Sequence, residues 1–420
     1  MSYVLFLIYL VLFSWLLTKS RFIINSGISS KVIVALFVVK VIAGCLNAWL
    51  LLRTSEMPDT MVFHKEGLIE YNLLLTNPKE YIHNFFQSNY TSGYGELFSS
   101  TNSYWNDLTS NLIIKFLSVC DIFSFGYYNV NVIFYNFTIF FGAVALYRVF
   151  YIVYINSKWV LIFTCFLLPS VIFFSSTIHK EGLIFAAIGI AVFNIYTALH
   201  ETGFTARKII YISLALIFIF FQRNYVFLAF LPASFAWILS GLKKLPALIT
   251  FLIIYIAGAI IFFKAGVISP KLNLPERVSK KQWDFRQLPG ASTAIKLDSL
   301  APTIKSFAVN APQALNHSLS RPYFSDYKLS HSLLPLSIEL FFYEILFLLF
   351  IFFRKETIVK DSFIIFGLFF SLSVLLIIGY TVPVIGAIVR YRSIYLPFIL
   401  TPIICNTNWK KLQRFINIKK

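Results

Sequence analysis

Charged side chains are scarce in this sequence: they make up 13% of its 420 residues, whereas hydrophobic residues make up 58%. A soluble domain of ordinary composition carries about 25% charged residues. The shortage excludes an ordinary soluble globule and predicts an all-α integral membrane protein that crosses the bilayer many times. The 36 Lys and Arg outnumber the 18 Asp and Glu, but they are dispersed between apolar runs. With no basic domain present, a nucleic-acid partner is not expected.

Several chemical signatures are also missing. The four cysteines are scattered, so the sequence offers neither a disulfide framework nor a metal-ligand spacing. It contains no GxxxxGK[ST], GxSxG, HExxH or CxxC pattern, which leaves ATP hydrolysis, a nucleophile elbow and a zinc site without support. The apolar segment Tyr3–Leu17 lacks a basic leader and a small-residue cleavage site, so it is interpreted as the first span.

Apolar runs long enough to cross a bilayer predict eleven spans within one polytopic membrane domain, 1–420. The runs lie near 2–18, 32–52, 128–152, 159–176, 183–199, 208–221, 224–241, 247–264, 332–353, 361–379 and 384–405. Sixteen Lys and Arg fall in alternate connections and in the C-terminal tail, and such a bias marks the cytoplasmic side. The prediction is therefore an N-terminus outside and a C-terminus in the cytoplasm.

Two long connections, 53–127 and 265–331, fall on the opposite side and are interpreted as extracytoplasmic segments. In the first segment we expect a helix near Met61–Thr76. We also expect its aromatic stretch Tyr90–Trp105 to lie at the level of the lipid headgroups. The second segment is basic and is divided into short pieces by prolines.

Three adjacent ionisable residues, His179, Lys180 and Glu181, stand between the apolar runs Trp159–Phe174 and Leu183–Leu199. The pattern predicts two membrane helices joined by a very tight turn. Ionisable groups at membrane depth are costly, so they indicate a functional site by default. The alternative is an interfacial Lys–Glu pair that snorkels and anchors the turn.

Four positive charges at predicted outer helix ends oppose the positive-inside bias. They are Lys180, Arg223, Arg390 and Arg392, with Tyr391 between the last two. Lys supplies a compact charge and Arg a planar fork, so a mixed set suits a phosphate or diphosphate. The alternatives are ion pairing with Glu181, Glu339 and Glu344, or contact with anionic lipid headgroups.

The first outer segment begins with a carboxylate and an imidazole five residues apart, Asp59 and His64. Partial desolvation of Asp59 would suit a general base that takes a proton from a sugar hydroxyl. The alternative is helix capping, with Asp59 as the N-cap of a helix that begins at Thr60. Glu339 and Glu344 in the ninth span keep a transporter hypothesis open, because they could couple ions or protons.

These motifs resemble those of polytopic bacterial membrane proteins of surface-polysaccharide gene clusters. That family is related to the GT-C glycosyltransferases and functionally close to O-antigen polymerases. The resemblance covers most of the chain and is carried by short elements: Asp59 with His64; Leu168-Pro169-Ser170, Ser175-Ser176 and Lys180-Glu181; Arg223-Asn224-Tyr225; and Arg390-Tyr391-Arg392 with Pro397.

The resemblance implies a GT-C-like fold and glycosyl transfer from a polyprenyl-(di)phosphate-linked glycan in the bacterial inner membrane. It implies Asp59 as the first candidate catalytic base and Glu181 as the second. The remaining candidates bind substrate: His64, His179, Lys180, Arg223, Arg390, Tyr391 and Arg392. No cofactor is expected, with a divalent cation as the open alternative, and the partners are membrane lipids and other polysaccharide-assembly membrane proteins. A flippase of lipid-linked glycans is the competing class, and an inactive membrane scaffold is the third.

Overall fold

The computed structural model describes residues 1–54, 57–84, 104–287 and 292–418. Within those ranges the chain is helical, and none of the described residues lies in a β-strand. The prediction of an all-α protein is therefore confirmed for the part of the chain that the structure describes. The segment 90–103, which contains most of the predicted aromatic stretch, lies outside the described residues.

The helices run in the following order. The first part of the chain contains α1 (Ser2–Lys19), α2 (Arg21–Ile24), α3 (Ser30–Thr54), α4 (Asp59–Thr76), α5 (Pro78–His83), α6 (Tyr104–Ser124), α7 (Tyr128–Val153), α8 (Lys158–Ile162), α9 (Pro169–Ser176) and α10 (Lys180–Thr197). The second part contains α11 (Ala206–Gln222), α12 (Asn224–Lys243), α13 (Ala247–Ile268), α14 (Leu274–Gln287), α15 (Ile304–Ser320), α16 (Leu334–Phe352), α17 (Ser362–Thr381), α18 (Ile385–Ser393), α19 (Leu396–Asn406) and α20 (Trp409–Ile418).

Eight of the described helices are long and apolar enough to cross a membrane, and two bent pairs raise the number to ten. One pair joins Lys158–Leu167 to α9 at 45°, after a π-helical turn, and the other joins α18 to α19 at 64°. A multi-pass membrane protein is thus confirmed. The predicted span 208–221 is the 17-residue helix α11, which is not among these candidates. The count of eleven and the orientation of the termini stay predictions.

The first compact unit comprises Met1–Val149, Cys165–Ile195 and Phe204–Asn224. Its centre is α7, where aromatic side chains pack against α1 and α3: Phe13 stacks on Phe137, and Phe37 meets Phe140 edge to face. The two helices α7 and α10 approach closely because Gly142 and Gly189 face one another, and a Cβ on either would overlap the partner backbone. Small residues at such a contact are typical of packed membrane helices.

The second unit comprises Phe150–Thr164, Tyr196–Gly203 and Tyr225–Lys420. Its core surrounds α17, where Phe366 stacks on Trp237 and packs edge to face against Phe398. The second long connection, 265–331, contacts the same helix through a buried amide. Gln282 donates to the carbonyl of Tyr380 at 2.8 Å and accepts from the N–H of Leu300 at 2.9 Å.

The helix expected near Met61–Thr76 is present as α4. It begins at Asp59, and Pro58 occupies the N-cap position without a side-chain capping bond. The expectation of Asp59 as an N-cap before Thr60 is wrong by one residue. Because proline fixes its own φ and restricts the residue before it, the extended Pro58 sets the helix start and Asp59 becomes the first helical residue.

Candidate functional site

The predicted tight turn is three residues long, Thr177–His179, between the end of α9 and the start of α10. Ser175, Ser176 and His179 are buried, as is Glu181 in the first turn of α10. The polar motif therefore lies inside the first unit and is not a solvated loop. Burial requires that the carbonyl groups at the end of α9 find donors within the protein.

Side chains from two neighbouring helices supply those donors. Asn47 of α3 donates its amide to the carbonyl of Phe173 at 2.9 Å, and Asn136 of α7 donates to that of Ser176 at 2.7 Å. The hydroxyl of Tyr135 donates to the carbonyl of His179 at 2.5 Å. Side chains of α3 and α7 therefore hold the backbone of the turn through hydrogen bonds.

A buried lysine lies next to the turn. Lys40, 2% exposed and within the membrane helix α3, places its ammonium nitrogen 3.1 Å from the Ser175 hydroxyl and 3.0 Å from that of Ser176. No carboxylate of the described residues forms an ion pair with Lys40. A cation is favourable at the C-terminal end of a helix such as α9, where the carbonyl dipoles converge.

Two glycines permit this packing. A Cβ on Gly44 of α3 would overlap the carbonyl oxygen of Ser176, and one on Gly182 of α10 would overlap the Ser175 carbonyl and the Tyr135 hydroxyl. Any larger residue at either position would separate the turn from the donors that satisfy it.

The predicted outer joint between α11 and α12 is the single residue Arg223. Its guanidinium Nη2 lies 2.5 Å from the Glu181 carboxylate, and the two side chains are 13% and 3% exposed. The structure thus brings together two of the candidate residues, which lie 42 positions apart. This contact is the ion pair between Arg223 and Glu181 that the sequence suggested as an alternative to ligand binding.

Helix α4 brings the first outer segment to the same turn. The hydroxyl of Thr60 is 2.6 Å from that of Tyr128, which also interacts with the backbone of Ile178 in the turn. The ammonium of Lys180 lies 5.9 Å from the centre of the Phe63 ring. Asp59 is exposed at the start of this helix, and His64 lies one residue after Phe63.

His64 faces a second buried acid, Asp121, which belongs to none of the sequence motifs. Its ring packs edge to face on Tyr128, and the charge of Asp121 in α6 acts on it. Burial lowers the pKa of His64 and Asp121 opposes that shift. Burial raises the pKa of Asp121, opposed by hydrogen bonds from Asn131 and Ser124.

The remaining candidates lie in the second unit. Arg392 is 3% exposed, and its Nη1 donates to the carbonyls of Ser318, Leu319 and Arg321 at 2.8–3.0 Å. It binds the C-terminal end of α15, where unpaired carbonyls need donors. Arg390 lies over the ring of Tyr391, with its guanidinium carbon 5.2 Å from the ring centre.

The structure therefore gathers His179, Lys180, Glu181 and Arg223 at one turn and places Asp59 and His64 on the helix packed against it. Arg390, Tyr391 and Arg392 belong to the other unit, and their predicted convergence with the turn stays a prediction. Lys40, Asp121 and Asn131 were missed. The signal for Lys40 was present, because an ionisable residue inside an apolar run of this kind indicates function by default.

Within the described residues, no group of three or more His, Cys, Asp or Glu side chains is arranged to hold a metal ion. Comparison with protein-family models, with curated proteins and with solved structures finds no match for this chain. The resemblance to surface-polysaccharide proteins accordingly rests on the short motifs of the sequence, and the function follows as a proposal.

Proposed function

We propose that this chain is a glycosyltransferase or polymerase that acts on polyprenyl-phosphate-linked sugars in O-antigen or exopolysaccharide assembly. In this proposal it has eleven spans and a GT-C-like fold in the bacterial inner membrane, with its N-terminus outside. The observation that carries the proposal is the packing of Phe63 against Lys180. In the proposal, this contact puts α4, which carries Asp59 and His64, beside the turn that holds Lys180 and Glu181.

The charges at the turn suit a departing phosphate. Breaking a glycosyl–phosphate bond leaves negative charge on the phosphate, so cations fixed there stabilise the transition state more than the ground state. Lys180 and Arg223 take this role, and Glu181 orients the guanidinium of Arg223 through their 2.5 Å contact. An Arg whose fork is held by a carboxylate is pre-organised for binding two oxygens at once.

Asp59 is the better of the two candidate bases. Glu181 is buried and paired with Arg223, whereas Asp59 is exposed at the first residue of α4. Asp59 takes the proton of the acceptor hydroxyl, the acceptor oxygen bonds to the anomeric carbon, and the phosphate leaves with the electrons of the broken bond. Membrane lipids and other polysaccharide-assembly proteins are the proposed partners, and Arg390 and Tyr391 stay proposed substrate-binding residues.

The test is the chain length of surface polysaccharide in a strain that lacks this protein and is complemented with single variants. Asp59→Asn is expected to shorten the chains, because losing a general base slows transfer about a hundredfold or more. Glu66→Gln, an exposed carboxylate on the same helix, is the matched control and should restore normal chains. Arg390→Lys should also impair assembly, because it retains the charge but loses the planar fork.

Normal chains from Asp59→Asn, Glu181→Gln and Arg390→Lys alike, at normal membrane levels, would refute the enzyme proposal. Lipid-linked units stranded on the cytoplasmic face of the deletion strain would instead support the flippase. The proposed orientation has a separate test: a cysteine at the exposed Ser325 position should react with an impermeant reagent added from outside.

A further inference from the structure

Three side chains on α4, α6 and α7 each carry a buried polar atom without a hydrogen-bond partner among the described residues. The atoms are Nδ1 of His64, Oδ2 of Asp121 and Oδ1 of Asn131. Buried polar atoms are almost always paired in native proteins. Unpaired buried polar atoms on neighbouring side chains call for a hydrogen-bond partner or a positive charge.

A chain of contacts shows that the three side chains belong to one cluster. Asn131 donates its amide to Oδ1 of Asp121 at 2.6 Å, which joins α7 to α6. Oδ2 of Asp121 lies 3.7 Å from the position that a Cβ of Gly67 would take, and His64 is one turn before Gly67 on α4. The ring of His64 packs on Tyr128, which is one turn before Asn131 on α7.

An ionised Asp121 would leave this cluster with an uncompensated negative charge. Asp121 is 0% exposed. None of the ion pairs formed by the described residues includes it. An isolated buried carboxylate is expensive unless a positive charge accompanies it. The neighbouring side chains are those of Ser124, Asn131 and His64. Neither Ser124 nor Asn131 carries a charge.

We propose that Asp121 and Asn131, beside His64, form a binding site for one small monovalent cation, with Na⁺ as its occupant. Carboxylate and amide oxygens are ligands that hard cations prefer. One carboxylate and one monovalent ion make a neutral site, whereas a divalent ion would leave a net positive charge in the interior.

The consequence is mechanical. A bound ion would tie α4, which is not among the candidate membrane spans, to α6 and to the membrane helix α7. The site would therefore stabilise the fold, and its existence does not depend on glycosyl transfer. A structural readout tests it separately from the proposed function.

The experiment measures thermal unfolding of the full chain in detergent, in NaCl, KCl, choline chloride and MgCl₂ at one ionic strength. Na⁺ is expected to raise the midpoint of the wild type by about 3 °C over choline, as expected for a ligand that binds only the folded state. Asp121→Asn should abolish this difference. Glu70→Gln should retain it, because that carboxylate, on the same helix α4 as His64, already pairs with Lys115.

A second variant keeps the test decisive should Asp121→Asn fail to fold. Asn131→Asp adds a second carboxylate to the cluster, so the stabilising ion should change from Na⁺ to Mg²⁺. Equal midpoints in all four salts would overturn the proposal, as would a Na⁺ effect that survives in Asp121→Asn. A wild type that responds to none of the cations but is stabilised by lower pH would show that Asp121 carries a proton instead, and would equally overturn it.

Discussion

The ammonium of Lys40 lies 3.0 Å from the hydroxyl of Ser176, in the interior of the first unit. This contact joins a lysine in the middle of the membrane helix α3 to the end of α9, the second half of a bent helix pair. Together with the amides of Asn47 and Asn136, it fixes the turn that carries His179, Lys180 and Glu181. The turn is therefore positioned by packing against α3 and α7, and its geometry depends on how closely those helices approach.

The first prediction concerns that approach. Gly44→Ala should destabilise the protein by about 1–3 kcal/mol, the usual cost of overpacking a core, because the new Cβ would overlap the Ser176 carbonyl. Gly189→Ala should have a similar effect through the overlap with Gly142. The measurement is the unfolding midpoint in detergent.

Gly258 in α13 is the matched control, because a Cβ there would meet no atom within 4 Å. Gly258→Ala should leave stability unchanged or raise it slightly, since alanine is the better helix former. Equal midpoints for all three variants would contradict the close packing of the turn and of α7 with α10.

The second prediction concerns pH. His317 in α15 is 6% exposed, and burial lowers its pKa from the ordinary value of 6.5, aided by Arg321 and opposed by Asp298 and Asp326. The unfolded chain therefore binds a proton at a higher pH than the folded one does. Stability should be unaffected by this group above pH 6.5 and should fall as the pH decreases below that value.

His317→Gln should flatten the dependence of stability on pH between neutrality and pH 5, as followed by thermal unfolding at a series of pH values. His331→Gln is the control, because that side chain is exposed. An unchanged slope in His317→Gln would show that the acid sensitivity arises elsewhere.

Sequence predicted the parts of this fold that local composition determines. Apolar runs located the long helices, and Gln222-Arg223-Asn224 marked the joint between α11 and α12, because a polar break in an apolar run is visible without any tertiary information. The start of α4 was displaced by one residue, since Pro58 and Asp59 both have the properties of a helix start.

Other features depend on which helices are neighbours, and no local pattern reveals that. Lys40 lies within an apolar run that predicts a span, and its partners Ser175 and Ser176 are 135 and 136 positions away. Asp121 was overlooked because its partner Asn131 belongs to the next helix. Likewise, the carbonyls that bind Arg392 lie at the end of α15, more than 70 positions earlier.

The third prediction tests the ion pair between Arg223 and Glu181. Arg223→Met should cost about 3–5 kcal/mol of stability, because the Glu181 side chain is 3% exposed and would lose its counter-charge in the interior. Adding Glu181→Gln should recover part of that loss, since the double variant contains no uncompensated charge. The measurement is a double-mutant cycle, which compares the unfolding midpoints of the wild type, both single variants and the double variant. Lys65→Met, which removes an exposed cation from α4, is the control and should change stability little. Additive losses in the double variant would mean that the two side chains are not coupled, and Glu181 would then be available to act as the base in place of Asp59.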